Sequence, residues 1–384
     1  MSHLATVLLF LSSVVFATTV QFTEGDGAKL TTTPIASRDV FPPLAIELKI
    51  PSVQVTQAAD GFQSLQVSGL YPSSTYGAPE MLSTGVLVAV PEGYDVSATL
   101  IDRNVEEIEN VVVQPAQQKF RCHSERDGFQ FLAHLYESNE TFPANIYTVE
   151  SVGKLGDLKL VRVGLNPTRM NFKTDSLEVA TSLKLRVDFV KSGEFRQVSL
   201  AKDIFAVAQA AVANSKFVSL MAREEAGGDS MLIMVADSFK NSIAPLVEWK
   251  RAKGIKVQVA TLSEAGGTKE KVKAFVQNVY DTSTPKRAYL LMVGNKTTMP
   301  PYMEPTSSGS AASDLKFAQV SGTDYIPDIF FGRLVADNET ELNAQMTRWI
   351  QYEKDAVAES WYPQATTIAS SDTQGGKPYD NEYA

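Results

Sequence analysis

Thiols and imidazoles, which can act as catalytic nucleophiles and bases, are scarce in this sequence of 384 residues. It has one cysteine, Cys122, and three histidines, one of which is the adjacent His123. A thiolate and an imidazole can form a nucleophilic pair, but neighbours in a strand point to opposite faces, and such pairs are normally assembled from distant segments. We therefore interpret Cys122 and His123 as ordinary loop residues.

Motifs for other kinds of catalysis are absent from the sequence. It contains neither the G-x-S-x-G nucleophile elbow nor the H-E-x-x-H metal motif, and no glycine-rich loop for phosphate. A single cysteine cannot form an internal disulfide, and a closed zinc site would need several carboxylate ligands because histidines are so few. These absences argue against a serine hydrolase, a zinc peptidase and a nucleotide-binding protein, and we expect no cofactor to be required.

Four aspartates in the second half of the chain are candidate functional residues. Asp314, Asp324 and Asp328 are spaced loosely enough to cap turns or, together with backbone carbonyls, to hold a hard cation such as calcium. We predict turns for these three and keep calcium as the alternative. Asp372 follows a predicted strand, a position where α/β proteins place functional groups and where turn-forming aspartates are equally common.

The first half of the chain has the pattern of an antiparallel β protein. Apolar residues alternate with polar ones over residues 44–50, 96–100 and 183–189, which predicts half-buried strands. Glycine- and proline-containing turns separate these segments at short intervals, as is typical of a β-sandwich. Residues 204–221 have helical spacing, and the small and charged residues 222–229 predict a flexible linker that a protease would reach.

From residue 230 onward, predicted strands and helices alternate. Continuous apolar runs predict strands at 231–236, 255–260 and 287–293, with helices at 242–253 and 268–280, the second capped by Thr268. Residues 317–331 predict a β excursion, a long helix includes residues 342–353, and 365–370 predict a fourth strand. The order favours an open parallel sheet whose ligand site lies at the carboxyl ends of its strands, where Asp237, Gly294 and Asn295 are placed.

The amino terminus and the charge bear on location and partners. Residues 4–17 form an apolar run of secretory length, too short to span a bilayer, with the small residues Val15 and Ala17 before a plausible cleavage site. Later segments do not reach membrane-spanning length, so we expect a secreted, extracellular product. The formal net charge of −9 is spread along the chain, which argues against a nucleic-acid partner.

Several segments, taken in order, resemble the gingipain-like cysteine peptidases. In the second half these are MLIMVADSFK (231–240), LVEWKRAKG (246–254), VQNVY (276–280), YLLMVG (289–294), SD (313–314), GTDY (322–325), IFFGR (329–333) and YE (352–353). In the first half, GAP (77–79), VPEG (90–93), QPA (114–116) and the strand 183–189 resemble the prodomain of that family.

The resemblance implies a secreted zymogen that acts on protein or peptide substrates. It implies a signal peptide (1–17), a β-sandwich prodomain (18–195) that inhibits its own enzyme, a helical segment and linker (196–229), and the first half of a caspase-like α/β peptidase domain (230–384). Asp372 matches the acidic residue that orients the catalytic histidine in the family. The catalytic His and Cys are expected beyond Ala384, so we expect the chain as given to be an inactive fragment of a longer precursor, the alternative being a truncated relative without activity.

The resemblance also suggests less specific roles for five further residues. The loop with Lys119, Arg121 and Arg126 is the candidate for blocking the active site with a basic side chain. Arg223 is the candidate processing site, and Asp380 lies near the position of an acid that selects basic substrates, although its spacing departs from the family pattern. The competing interpretation is a noncatalytic secreted module, in which the β domain binds a partner beside a degenerate α/β scaffold.

Overall fold

Strands occupy most of the first 200 residues, and helices alternate with strands after residue 230. The computed structural model of the chain describes residues 17–58, 61–72, 75–117, 129–227, 229–306, 309–355, 360, 364, 373–374 and 377–378. The strands are β1 (Ala17–Gln21), β2 (Lys29–Pro34), β3 (Leu44–Lys49), β4 (Ser52–Gln57), β5 (Gln63–Gln66), β6 (Tyr71–Pro72), β7 (Leu82–Val90), β8 (Glu92–Glu109), β9 (Thr141–Phe142), β10 (Tyr147–Leu155), β11 (Leu158–Leu165), β12 (Thr168–Asn171), β13 (Ser176–Arg196), β14 (Val198–Leu200), β15 (Ala222–Glu224), β16 (Ser230–Val235), β17 (Lys256–Thr261), β18 (Tyr289–Val293), β19 (Tyr302–Thr306), β20 (Gly309–Ser313), β21 (Phe330–Leu334), β22 (Thr373–Gln374) and β23 (Lys377–Pro378). The helices are α1 (Ala133–Tyr136), α2 (Lys202–Ala211), α3 (Val218–Met221), α4 (Ala244–Ala252), α5 (Lys269–Thr282), α6 (Leu315–Ala318) and α7 (Glu339–Lys354).

Antiparallel sheets build the first part of the structure, the β unit (β1–β13). One sheet has the order β2-β3-β13-β12-β9 with β8 also paired to β13, another has the order β10-β11-β7-β6, and a smaller one joins β1, β4 and β5. The predicted alternation is confirmed, because Leu48, Ile46 and Leu44 of β3 lie opposite Leu183, Leu185 and Val187 of β13. These six side chains share one core with Val88 of β7 and Val163 of β11, so the two larger sheets bury a common apolar layer.

A parallel sheet with the order β17-β16-β18-β21 organises the second part, the α/β unit (β16–β21). Strand β16 is buried at every position because helices cover both faces of the sheet. Leu232 and Met234 face the core that includes α5, whereas Ile233 and Val235 face the core that includes α4 and α7. The strands predicted at 231–236, 255–260 and 287–293 and the helices predicted at 242–253, 268–280 and 342–353 are confirmed to within a few residues. The cap at Thr268 is confirmed as well, since its hydroxyl accepts from the Lys271 N–H at 3.3 Å.

The segment 317–331 differs from the predicted β excursion. Residues 315–318 form the short helix α6, and only residues 330–334 form a strand, β21, which is the fourth strand of the parallel sheet. A hairpin of β19 and β20 precedes this helix. The apolar residues of the segment fill the core beside α5 from a helix and a loop, so their burial does not require a strand. The predicted strand at 365–370 lies outside the described residues.

Residues 200–227 contain more regular structure than a flexible linker would. The predicted long helix is interrupted: α2 ends at Ala211, and α3 begins at Val218 after one 3-10 turn. Between them the buried side chain of Asn214 pairs with the backbone of Ala89, accepting from its N–H at 2.9 Å and donating to its carbonyl at 2.8 Å. Residues 222–224, predicted as irregular linker, form β15 in parallel pairing with β14.

A charged cluster around Glu353 joins helices α4 and α7. Its carboxylate accepts hydrogen bonds from Trp249 Nε1 at 2.9 Å, from Lys253 Nζ at 2.8 Å and from Lys250 Nζ. Burial acts to raise the pKa of Glu353, but the hydrogen bonds from Lys250, Lys253 and Trp249 outweigh it and lower the pKa to about 2. The fold therefore stabilises the ionised form of this carboxyl.

We expect Glu353→Gln to lower the free energy of unfolding at pH 7 by about 1–2 kcal/mol, because partial solvent exposure weakens each ion pair. The pKa is lowered in the folded state, so the stabilisation is present above the ordinary value of 4.5 and is lost as the pH falls toward about 2. Urea unfolding measures it, with Glu248→Gln on the exposed side of α4 as the control. The difference from the wild type should shrink between pH 5 and pH 3, and a constant difference would contradict the prediction.

None of the helices in the described ranges combines the length and the apolar character needed to cross a membrane.

Candidate active site

The carboxyl ends of all four parallel strands lie at one edge of the sheet, and polar side chains follow each of them. Asp237 follows β16, Glu264 follows β17, Asn295 follows β18 and Asp337 follows β21. The placement of Asp237, Gly294 and Asn295 at this edge is as predicted. In open α/β sheets this edge is where ligands bind, so it is the candidate active site.

The Asp237 carboxylate is tied to the neighbouring strand end. Its Oδ1 accepts a hydrogen bond from the Ser263 N–H at 3.3 Å. Burial acts to raise the pKa of Asp237, but hydrogen bonds from Thr261 and Ser263 outweigh it and hold the pKa below its usual value. Beside it, Glu264 pairs with Lys240 and accepts from the Thr261 N–H at 2.8 Å. Asp237 is therefore an exposed, ionised group at neutral pH, positioned by the end of β17.

Asn295 connects the ends of β18 and β21. Its amide oxygen accepts from the N–H groups of Thr297 and Thr298 at 2.8 and 2.9 Å, and its amide nitrogen donates to Asp337 Oδ1 at 2.8 Å. The preceding Gly294 has φ +134°, and a Cβ at this position would lie 2.8 Å from Thr298 Oγ1. Glycine therefore allows the chain to leave β18 and fold back over the amide of Asn295.

A largely buried ion pair supports this edge from beneath. Arg333 of β21 donates from Nε and Nη2 to the two carboxylate oxygens of Asp314, each at 2.7 Å, and from Nη1 to the carbonyls of Gly294 at 3.0 Å and Met299 at 2.7 Å. One guanidinium thus fixes β21, the residue before α6 and the loop that carries Asn295. Sequence reasoning missed this role, because a spacing of 19 residues carries no local signal of pairing.

The three aspartates considered together from the sequence have separate functions. Asp314 pairs with Arg333. Asp324 Oδ1 accepts from the Ile326 N–H at 2.8 Å, and Asp328 Oδ2 accepts from the N–H groups of Val320 and Ser321 at 2.7 Å. The predicted turn contact is therefore present at Asp324, whereas Asp328 binds N–H groups seven and eight residues before it. Over the part of the chain that the structure describes, no three histidine, cysteine, aspartate or glutamate side chains are grouped to hold a metal ion, and calcium stays a prediction without a site.

Most of the other residues singled out from the sequence lie outside the described residues. These are Lys119, Arg121, Cys122, His123, Arg126, Asp372 and Asp380, and almost all of the predicted signal peptide is outside as well. Arg223 is described: it is exposed in β15, and its Nε donates to Ser199 Oγ at 3.0 Å. The roles expected for these residues stay predictions.

The chemistry of the described edge is that of a binding surface. Among the described residues, the edge carries carboxylates, an amide and hydroxyls, but neither a thiol nor an imidazole, since the one described histidine, His134, lies in α1. Such groups can orient a polar substrate and a catalytic base. A thiol nucleophile or an imidazole base acting at this edge would have to come from residues outside the described ranges.

Comparison with known proteins gives matches over both units. Residues 44–220 match the family model Propeptide_C25, and residues 224–384 match Peptidase family C25. Among curated relatives, Gingipain R2 of Porphyromonas gingivalis is 24% identical over 317 residues, covering 80% of this chain and 42% of the relative. Lys-gingipain HG66 of the same species is 24% identical over 337 residues, covering 81% of this chain and 19% of the relative.

The solved structures that match include the complex of the Porphyromonas gingivalis RgpB pro- and mature domains. It is 17% identical with a TM-score of 0.42, covering 50% of this chain and 99% of that one. The chain spans less than half the length of either curated gingipain.

Proposed function

Because the chain belongs to the gingipain-like cysteine peptidases, as a C25 propeptide followed by part of a C25 peptidase domain, we propose that it is the amino-terminal portion of a secreted cysteine endopeptidase zymogen. The order of the two family matches along one chain is the observation that carries the proposal. The parallel sheet with polar residues at its carboxyl edge supports it, because this is the edge at which a peptidase of α/β architecture would bind its substrate.

In this proposal the two units have different tasks. The β unit is a sandwich-like propeptide that inhibits its own enzyme, with the loop of Lys119, Arg121 and Arg126 occupying the active site. The α/β unit is the first part of a caspase-like catalytic domain. A cysteine thiolate attacks the scissile carbonyl, a histidine gives a proton to the leaving amine, and Asp372 orients that histidine. Arg223 is the processing site, and Asp380 contributes to selection of basic side chains in the peptide substrate.

The test is the activity of the protein encoded by the complete reading frame. We expect hydrolysis of peptide substrates that is abolished by a thiol-alkylating inhibitor, and we expect Asp372→Asn to lower kcat by about 10²- to 10⁴-fold, as for other orienting carboxylates. Asp372→Glu, which keeps the carboxylate, should retain much of the activity.

Two results would count against this proposal. A complete protein without thiol-dependent hydrolysis would favour the noncatalytic binding module. An Asp372→Asn enzyme with unchanged kcat would remove that residue from the mechanism while leaving the peptidase intact.

A further inference from the structure

One loop of the α/β unit forms a polar contact with a hairpin of the β unit. The loop is Ser321–Asp328, here called the latch loop, and the hairpin is β10–β11. Asp324 Oδ2 accepts from the Lys154 N–H at 3.0 Å, and Ser321 Oγ donates to Asp157 Oδ1 at 2.9 Å. Asp324 Oδ1 also accepts from the Ile326 N–H within the loop. The carboxylate is therefore oriented by its own loop before it contacts the hairpin.

A glycine of the hairpin, Gly153, makes room for this contact. Gly153 has φ +136°, and a Cβ there would lie 2.2 Å from Asp324 Cγ. The pairing register of β10 with β11 shifts at this point, between Ser151 and Gly153, so the strand bulges where the carboxylate approaches. The hairpin thus fits the latch loop closely at its backbone.

Beneath the contact lies a buried carboxyl group. Asp328 is 1% exposed, and while its Oδ2 accepts two backbone N–H groups, its Oδ1 has no hydrogen-bond partner among the described residues. The pKa of Asp328 is raised to about 7: burial is the main cause and the nearby Asp324 adds to it, while backbone N–H groups of Ser321, Val320 and Gly156 act in the opposite direction. An unpaired buried oxygen of this kind is costly when charged and is less so when it carries a proton.

The groups that face Asp328 come from three elements. Asp324 lies on the same loop as Asp328, and Lys273 and Tyr280 come from α5. Asp157 comes from the hairpin and raises the pKa of Tyr280. Lys273 favours the ionised form of Asp328, whereas Asp324 disfavours it. Since Gly156 of the hairpin also lies against Asp328, departure of the β unit would expose this carboxyl to water.

We propose that the latch loop retains the propeptide after the connecting chain has been cut, and that it does so with a proton on Asp328. The inference rests on the proposed function only in taking the β unit to be a propeptide that is cut off. Docking shields Asp328 from water, so its pKa is higher in the docked state than in the released state. Retention is then strongest in mild acid, and the part that depends on the Asp328 proton is lost as the pH rises through about 7.

The experiment uses the whole chain with the recognition sequence of a specific protease inserted after Gly227. After cleavage, the rate at which the two parts separate is measured at pH 5.5 and pH 8 by dilution of a fluorescently labelled complex. We expect the two parts to separate at least about tenfold faster at pH 8, because a difference of one pKa unit between docked and released Asp328 corresponds to a tenfold change. Contacts outside the latch loop, such as Tyr289 with Asp203 and Lys286 with Glu225, provide the remaining retention at both pH values.

Variants separate the two parts of the proposal. Asp324→Ala should speed separation by about tenfold or more at both pH values, because the Lys154 N–H loses a charged acceptor. Asp328→Asn keeps the shape but cannot titrate, so its rates at pH 5.5 and pH 8 should be nearly equal. Glu248→Gln, an exposed carboxylate on α4, is the matched control and should behave as the wild type.

Two results would overturn the proposal. An unchanged rate for Asp324→Ala excludes the latch loop as the retaining element, and a wild-type pH dependence in Asp328→Asn excludes the proton. If circular dichroism shows that Asp324→Ala does not fold, Gly153→Ala tests the same contact from the hairpin. A wild-type separation rate in Gly153→Ala would also exclude the latch loop as the retaining element. The readout needs no turnover, so an inactive complete enzyme would overturn the proposed function and leave this result standing.

Discussion

Replacing Arg333 with methionine is expected to lower the free energy of unfolding by about 3–5 kcal/mol, the usual cost of removing one partner from a buried ion pair. The Asp314 side chain is only 12% exposed, so its charge would be left without compensation. The carbonyls of Gly294 and Met299 would lose their donor at the same time. Chemical unfolding followed by tryptophan fluorescence measures the change.

The double variant Arg333→Met with Asp314→Leu is the control for this prediction. It removes both charges, so it should be less destabilised than Arg333→Met alone. Arg333→Lys should not restore stability, because an ammonium group cannot bind both carboxylate oxygens and two carbonyls in the same plane. A single variant that is as stable as the wild type would show that the pair is not needed to hold the sheet edge.

Replacing Phe317 with alanine is expected to cost about 3–5 kcal/mol, as for other fully buried aromatic side chains. Phe317 of α6 has no exposed surface, and its ring centroid lies 5.0 Å from that of Tyr302 in β19. The vacated space lies between the β19–β20 hairpin and the core beside α5. Thermal and chemical unfolding of the purified chain both report the loss.

Phe317→Leu is the matched variant, since it keeps an apolar side chain of intermediate volume. It should lose clearly less stability than Phe317→Ala, because the cost grows with the cavity that remains. Equal losses in the two variants would mean that the aromatic contact with Tyr302, rather than the filled volume, determines the stability of this region.

Elements with a strong local pattern could be predicted from the sequence. The period of two in β3 and β13 survives in the structure because each strand buries one face, and the continuous apolar run of β16 survives because both faces are covered. Thr268 was recognisable because a cap depends on residues only three positions apart. In each case the information needed lies within the element itself.

The segment around α6 could not be predicted in this way. Its apolar residues suit a strand as well as a short helix, and the choice is made by distant contacts, such as the Asp314 pairing with Arg333. The contact between Asp324 and Lys154 joins residues 170 positions apart, so a local pattern in the sequence does not predict it. The candidate site was predictable as an edge of a sheet, but its supporting ion pair and the latch loop were not.

The pairing of β15 with β14 has a consequence for the timing of maturation. A protease binds its substrate as an extended strand, and the backbone of Arg223 lies opposite Ser199 in this pair. If the chain is cut at Arg223, cleavage has to wait for local openings in which the two strands separate. The rate of processing is then set by how often this three-residue pairing opens. Substitutions in β14 that weaken the pairing would therefore speed cleavage at Arg223, although β14 is far from the scissile bond in sequence.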